Sequence, residues 1–384
     1  MLSHESILKK ILSQPTAPFK EHWVIDCLES ILKEYKIPFF RDKHQNLIAG
    51  VQNLASLKKI IQTKSTEPLR IAIAHMDHPG LHITKNLGDN RFEFEWHGGS
   101  PYEHLIGAKV WLANQEEKNA GTGVIDSIEL HTHGRSIKKG TLKTHGLKKI
   151  KKLYGGFVFR EPWWMEDGKI YTQVADDLIG CFAIVSTLIS LKQKKSKTPF
   201  IGLITRAEEV GWIGAIAHFE LGLYQKAKRP VVAISLETSR QLPHAEIGKG
   251  PIVRLGDRMT VFNPGLTHML SQKAAQLLPG KHQRRIMDGG SCEGTASTAY
   301  GIPTIAMSIP LGNYHNQSLE GGPDAAAANG PAPEFVAISD IEGMLVLLNA
   351  LMQPKLPWAK PYNTFVSDLK KSVKKYSNLL KEQI

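Results

Sequence analysis

The chain has 384 residues, 42% apolar and 22% charged, a globular balance that can bury a sizeable core and that excludes collagen-like, disordered and disulfide-scaffold classes. Lysine and arginine number 48 against 36 acidic residues, a net charge of +12 that brings an acidic partner such as nucleic acid into consideration. The cysteines, Cys27, Cys181 and Cys292, are too dispersed for a disulfide framework or a Cys-x-x-Cys metal pair; no stretch reaches the roughly 18 apolar residues of a membrane span, and the N-terminus lacks a signal pattern, so the cytoplasm is the expected location.

Apolar residues at helical spacing predict helices over 4–14 and 20–35, the second carrying Val24, Cys27, Leu28, Ile31 and Leu32 on one face. A short strand is expected at 46–51, and Leu69–Ala74 reads as a buried strand stopped by the Pro79-Gly80 turn. From about 81 to 172 the pattern changes to alternation (Phe92, Phe94, Trp96; Val110, Leu112). Glycine-rich breaks recur at Gly98-Gly99, Gly121-Thr122-Gly123 and Gly155-Gly156, which predicts a small inserted all-β barrel or sandwich. Helix and strand then take turns: helix 178–192, strand 200–205, helix 212–224, strand 231–236, a short strand at 260–262, helix 265–278, strand 302–309, and helices 339–352 and 363–380. The strands are near-continuous apolar runs, the mark of an α/β fold whose sheet is covered by helices on both faces.

The basic excess gathers in two places, 138–152 and the tail Lys370–Lys375. The first is expected to be a solvated loop. The tail reads as a helix with Phe365, Leu369, Val373 and Tyr376 turned inward and its lysines on a solvated face. No RNA-binding, zinc-finger or aromatic-interleaved basic motif supports a nucleic-acid role, so neither nucleic acid nor membrane is an expected partner.

The chemistry lies where polar residues follow buried strands, because ligands of open α/β sheets bind beyond the carboxyl ends of strands. Strand 69–74 delivers His75 and Asp77, strand 200–205 delivers Glu208 and Glu209, strand 231–236 delivers Glu237, and strand 302–309 is followed by His315. Asp176 and Asp177 stand just before the helix at 178. Each has an ordinary reading: Asp-Asp before a helix is usually an N-cap, Glu-Glu a solvated pair, and a lone histidine a hydrogen-bonded surface or core residue. Five coincidences at one sheet edge favour a divalent-metal site of carboxylates and imidazoles, in which a carboxylate can also activate water.

The runs Ala74-His75-Met76-Asp77, Ala175-Asp176-Asp177-Leu178-Ile179-Gly180 and Glu208-Glu209-Val210-Gly211-Trp212-Ile213-Gly214-Ala215, with Gly301-Ile302-Pro303-Thr304 through Tyr314-His315, resemble the M42 family of dinuclear metallo-aminopeptidases, which includes glutamyl and tetrahedral aminopeptidases. The resemblance spans about 40 to 355. It implies a three-layer αβα metallopeptidase core with a mixed central sheet, formed by 1–79 and 173–384, and an inserted β-barrel-like domain over 80–172 that serves oligomerisation and substrate access. It implies that Asp176 bridges two divalent ions, zinc foremost with cobalt or manganese as alternatives, and that His75 and Glu237 complete one ion while Glu209 and His315 complete the other. Glu208 would be the general base, Asp77 would orient His75, and the peptide between Asp176 and Asp177 would be strained. Short peptides would be the substrates, and the chain would form homo-oligomers from dimer to dodecamer.

The related M20 amidohydrolases, deacylases and carboxypeptidases are the alternative. They place their extra domain in the later gap, whereas here 101 positions separate His75 from Asp176 and only 78 separate Glu237 from His315. Departures from the M42 pattern stand at His78, where glutamate is common, in Gly290–Thr295 around Cys292, at Asn316 after His315, and at Glu237 in place of a frequent aspartate.

Overall fold

The computed structural model describes residues 4–145, 147 and 151–381. Helices α1 (Glu5–Leu12) and α2 (His22–Glu34) lead into strands β1 (Phe39–Arg41) and β2 (Leu47–Ala49), helix α3 (Leu54–Gln62) and strand β3 (Leu69–His75). Six strands follow, β4 (Gly80–Gly88), β5 (Arg91–His97), β6 (Lys109–Ala113), β7 (Gly121–Leu130), β8 (Ile137–His145) and β9 (Tyr154–Phe157). Strands β10 (Trp163–Glu166) and β11 (Lys169–Thr172) precede α4 (Leu178–Gln193), β12 (Phe200–Thr205), α5 (Ile213–Phe219), β13 (Val231–Arg240) and β14 (Ile252–Asp257). The chain ends with α6 (Pro264–Leu277), β15 (Gln283–Met287), α7 (Glu293–Ala299), β16 (Thr304–Leu311), β17 (Glu334–Ala337), α8 (Ile338–Leu351) and α9 (Asn363–Tyr376).

The main sheet is mixed, in the order β1-β2-β12-β3-β13-β16-β14-β15. Its centre, β12-β3-β13-β16, is parallel throughout, so four strands end on the same edge. Successive residues of β3 serve different cores. Ala72 and Ala74 join the cluster holding α1, α2, α4 and α8, while Ile71 and Ile73 pack with residues of α3 and α5. This two-sided burial is why the strand reads as an unbroken apolar run. Helix α4 goes further than a one-faced pattern suggests: every residue from Leu178 to Ile189 is buried.

The inserted strands close into a barrel, β4-β5-β8-β7-β6-β9, around Phe92, Phe94, Leu112, Leu142 and Phe157. Its last strand ends at Phe157, whereas β10 and β11 pair with β17 in a separate three-stranded sheet. Gly155 and Gly156, which the sequence suggests are a break, lie inside β9 between β4 and β6. They mark a close approach of backbones. A Cβ on Gly155 would stand 2.0 Å from the Trp111 carbonyl oxygen.

Elsewhere the structure also departs from the sequence reading, which does not contain helices α3 and α7. The short strand expected at 260–262 is a single bridge at Val261, and the sheet is extended by β14 and β15 instead. Lys138 and Lys139 lie on strand β8, not in a loop, and both pair with Glu129; Lys148 and Lys149 of the same basic stretch lie outside the described residues. The tail helix forms as α9, but no residue of it is buried, and Phe365, Leu369, Val373 and Tyr376 are 46%, 49%, 59% and 49% exposed. Among the described residues, nothing buries the inward apolar face that periodicity suggests.

Gly155→Ala is expected to destabilise the protein by about 1–3 kcal/mol, because a backbone carbonyl cannot yield to the added methyl as a flexible side chain can. Urea unfolding monitored by fluorescence measures this, and an unchanged midpoint would contradict the close approach.

Candidate metal centre

The parallel strands explain why distant residues meet. His75 is the last residue of β3, Glu208 and Glu209 follow β12, and Glu237 lies within β13, which continues to Arg240. Asp176 precedes α4, and His315 follows β16. Three donor triads form here, each with its atoms within 4.8 Å of one another: His75–Asp176–Glu237, Asp176–Glu209–His315 and His75–Glu208–Glu209. The first two share Asp176. Its Oδ1 lies 3.5 Å from His75 Nε2, and its Oδ2 lies 3.9 Å from His315 Nε2, which is itself 3.1 Å from Glu209 Oε2.

The site's acidic groups are crowded and shielded from water. Burial pushes the Asp176 and Glu208 carboxyls well above the usual range and raises Glu237. Burial also brings Asp77 to about 7 and Glu293 to about 8. For Glu209 burial acts in the same sense and is the largest single influence, but His315 together with His75 and His78 outweighs it and holds that carboxyl low. Burial pulls the His75 imidazole down, yet Glu208, Asp176 and Asp77 together lift it well above its usual value. Buried carboxylates of like sign require protons or cations to coexist. Among the described residues, Asp176 Oδ1, Glu209 Oε1 and His315 Nε2 are all buried and make no well-aligned hydrogen bond, the 3.1 Å approach of His315 Nε2 to Glu209 Oε2 being an ion-pair contact. Orphaned oxygens and an orphaned imidazole nitrogen converging on shared triads fit divalent cations, since these donors suit zinc, cobalt and manganese alike.

The surrounding residues hold the donors in place. The Asp77 carboxylate accepts the backbone N–H groups of Glu208 (2.9 Å) and Glu209 (3.1 Å), fixing the turn that carries both. His75 Nδ1 is 3.1 Å from the Asp77 backbone carbonyl and 3.6 Å from its carboxylate. Asp177 is the N-cap of α4, accepting the Gly180 N–H and the Thr238 hydroxyl. Adjacent aspartates thus divide the work, one capping the helix and one facing the donors. The peptide bond between them is cis.

Two of the sequence departures prove to be partners. His78 Nδ1 lies 2.9 Å from the Asp176 carbonyl, and its Nε2 lies 3.2 Å from Asn316 Oδ1. The stretch around Cys292 packs against Asp257, which accepts from the Cys292 N–H and the Thr295 hydroxyl.

Several residues of the site went unread in the sequence. Glu334, fully buried on β17, accepts the N–H groups of Ala175 (2.7 Å), Asp176 (3.1 Å) and His315 (2.9 Å). Nothing in Pro333-Glu334-Phe335 distinguishes it from a strand-end surface residue. Tyr314 stacks on the His315 ring at 3.6 Å between centroids. Gly99, in the loop after β5, brings the barrel against the centre: a Cβ there would lie 2.0 Å from His315 Nδ1. Beside Glu237 a cavity of about 90 Å³ is lined by Leu242, Arg254, Met287 and Tyr314 among others. Arg254 is 3% exposed and donates to Ser239 Oγ at 3.2 Å, and among the described residues its Nε has no hydrogen-bond partner.

This donor set at the carboxyl edge of a mixed sheet is the arrangement of an α/β metal-site protein. The sequence places the chain more closely. Residues 56–321 match the model of the M42 glutamyl aminopeptidase family, about two thirds of the length, and the chain belongs to that family. Among curated relatives, YhfE of Bacillus subtilis (strain 168), a protein named as an aminopeptidase, is 22% identical over 226 residues, which cover 54% of this chain and 62% of YhfE. The match thus spans about three fifths of that relative's length. The TET aminopeptidase of Thaumarchaeota archaeon SCGC AB-539-E09 superposes with a TM-score of 0.71 at 19% identity, covering 93% of this chain and 98% of that one. The TET1 peptidase of Pyrococcus horikoshii does so with a TM-score of 0.68 at 20% identity, covering 92% and 100%. These likenesses carry the fold.

Gly99→Ala is expected to weaken zinc binding about 10- to 100-fold, since displacing a group that orients a donor typically costs that much. Competition titration against a chromogenic chelator measures it, and wild-type affinity would contradict contact between barrel and centre.

Proposed function

We propose that the protein is a dinuclear metal-dependent aminopeptidase that removes N-terminal residues from short peptides. The observation that carries this reading is the pair of donor triads meeting at Asp176 in a chain of the M42 family. His75, Asp176 and Glu237 would hold one ion, and Asp176, Glu209 and His315 the other. When bound, such ions polarise the scissile carbonyl and make the attacking water more acidic. Glu208 then takes the proton of that water and returns it to the leaving amine. It suits that task because it sits 3.8 Å from His75 Nε2 and its backbone is pinned by Asp77. Asp77 acts through the Glu208–Glu209 turn as well as on His75, and Glu334 positions Asp176 and His315 together.

The catalytic body is proposed to comprise 1–79 and 173–384 in three αβα layers. The segment 80–172 forms the inserted domain, and its contact through Gly99 lets it shape entry to the site. TET1 of Pyrococcus horikoshii is described as assembling into a tetrahedron or a large octahedral shell, which supports a homo-oligomer here. Substrate preference is proposed from Arg254. A buried guanidinium facing the cavity beside Glu237 favours an N-terminal residue with an acidic side chain, in keeping with the family's name, glutamyl aminopeptidase.

Three outcomes are expected. Chelation abolishes hydrolysis of free aminoacyl amides, and zinc, cobalt or manganese restores it, with N-acetylated substrates inert throughout; cleavage of the acetylated forms would move the chain to the M20-like alternative. Glu208→Gln lowers kcat by about 10²- to 10⁴-fold while elemental analysis finds the metal content unchanged. Arg254→Gln lowers kcat/KM for glutamyl substrates about tenfold or more relative to leucyl ones at unchanged metal content, since a buried polar group left unpaired discriminates strongly. Equal losses on both substrates would overturn that role for Arg254.

A further inference from the structure

Helix α9 lies outside residues 56–321, the part of the chain that matches the family model. Its apolar residues Phe365, Val366, Leu369, Val373 and Tyr376 recur at helical spacing, and Leu379 and Leu380 follow. All seven are between 44% and 73% exposed. Lys370, Lys371, Lys374 and Lys375 fall on the other side of the same turns, and Lys381 follows. Residues 363–381 carry a net +4, five lysines less Asp368, a third of the chain's +12. Among the described residues, the ring contacts that tie this segment to the body are at its root, where the Tyr362 and Phe365 rings lie 5.2 and 5.6 Å from that of His268 on α6.

Both faces of this helix are costly in water. The apolar stripe is unburied, and Lys370–Lys374 and Lys371–Lys375 are like charges one turn apart, which destabilise an isolated helix. Asp368 relieves only Lys371, at 2.8 Å. We infer that α9 is a docking helix for an anionic lipid surface, lying in the interface with its apolar stripe among the acyl chains and its lysines at the headgroups. A strongly amphipathic, lysine-rich helix of low mean hydropathy is the kind that binds there, and anionic headgroups remove the repulsion between its lysines. Pairing with α9 of a second copy would cover the stripe but double the positive charge. Nucleic acid would meet the lysines and leave the stripe in water.

The rest of the surface at this end agrees with that placement. The root of α9 borders an apolar cleft of about 560 Å³ lined by Tyr224, Val231, Leu266, Ile302, Trp358 and Tyr362. Val231 opens β13 and Ile302 lies just before β16, so the cleft is at the amino ends of the parallel strands, while His75, Glu208 and His315 are at their carboxyl ends. Docking through α9 leaves the metal centre facing away from the lipid.

The test is flotation of the full-length protein with vesicles of phosphatidylcholine alone or with about 30% phosphatidylserine, at low and at high salt. The protein is expected to float with the anionic vesicles, at least about tenfold less with the neutral ones or at high salt. Leu369→Glu with Val373→Glu is expected to abolish flotation, and Lys→Gln at 370, 371, 374 and 375 to reduce it to the neutral-vesicle level. Both variants change exposed positions, and unchanged aminoacyl-amide hydrolysis and circular dichroism would show them folded. No flotation with either vesicle, or equal flotation with both, would overturn the inference. So would a fall in light-scattering mass of the Leu369→Glu variant without lipid, which would assign the stripe to a second copy.

Discussion

One buried carboxylate ties the site together. Glu334 sits on β17 with no exposure and receives three backbone N–H groups, two from the segment before α4 and one from the turn after β16. Those segments are about 140 residues apart in sequence, yet they carry Asp176 and His315, two members of one donor triad. A carboxyl group is tolerable so far from water only when its oxygens are hydrogen-bonded, and three N–H donors supply those bonds. The same constraint sets the distance between Asp176 and His315 before any ion arrives. Asp77 plays the matching part on the other side, where its two oxygens hold the Glu208–Glu209 turn.

The fold exists to present these clamps. Four parallel strands ending on one edge place imidazoles and carboxylates from four chain segments within reach of each other. Helix α4, buried at every residue from Leu178 to Ile189, packs against β3 and anchors its own first turn through Asp177, which leaves Asp176 free to face the donors. The barrel closes on the same region through Gly99, the one size of residue that lets its loop lie against His315. Sheet, helix cap and barrel loop therefore converge on Asp176 and His315, and the burial that results leaves the carboxyl cluster in need of protons or cations.

The parts legible in the sequence were those with a strong local signal. Buried strands 69–74, 200–205 and 231–236 stand out because both faces are apolar, and of the strand-end residues singled out there His75, Glu208, Glu209 and Glu237 lie in the triads while Asp77 holds the Glu208–Glu209 turn. Strands β14 and β15 were missed because Arg254, Gly256, Arg284 and Arg285 interrupt their apolar pattern, and α7 because Gly-Thr-Ala-Ser-Thr has no periodic face. Glu334 and Arg254 could not be read, since their importance lies entirely in tertiary neighbours. The tail helix shows the opposite failure: its periodicity was right, but periodicity states only that an apolar face exists and not what lies against it.

The most direct test of the account is the metal content of the purified protein beside Asp176→Asn and His315→Ala, measured by elemental analysis after equilibration with zinc. If Asp176 is shared, the wild type holds about two ions per chain, His315→Ala about one, and Asp176→Asn fewer than one, because a single change removes a donor from both triads. A wild type that binds only one ion, or an Asp176→Asn variant that keeps two, would contradict it.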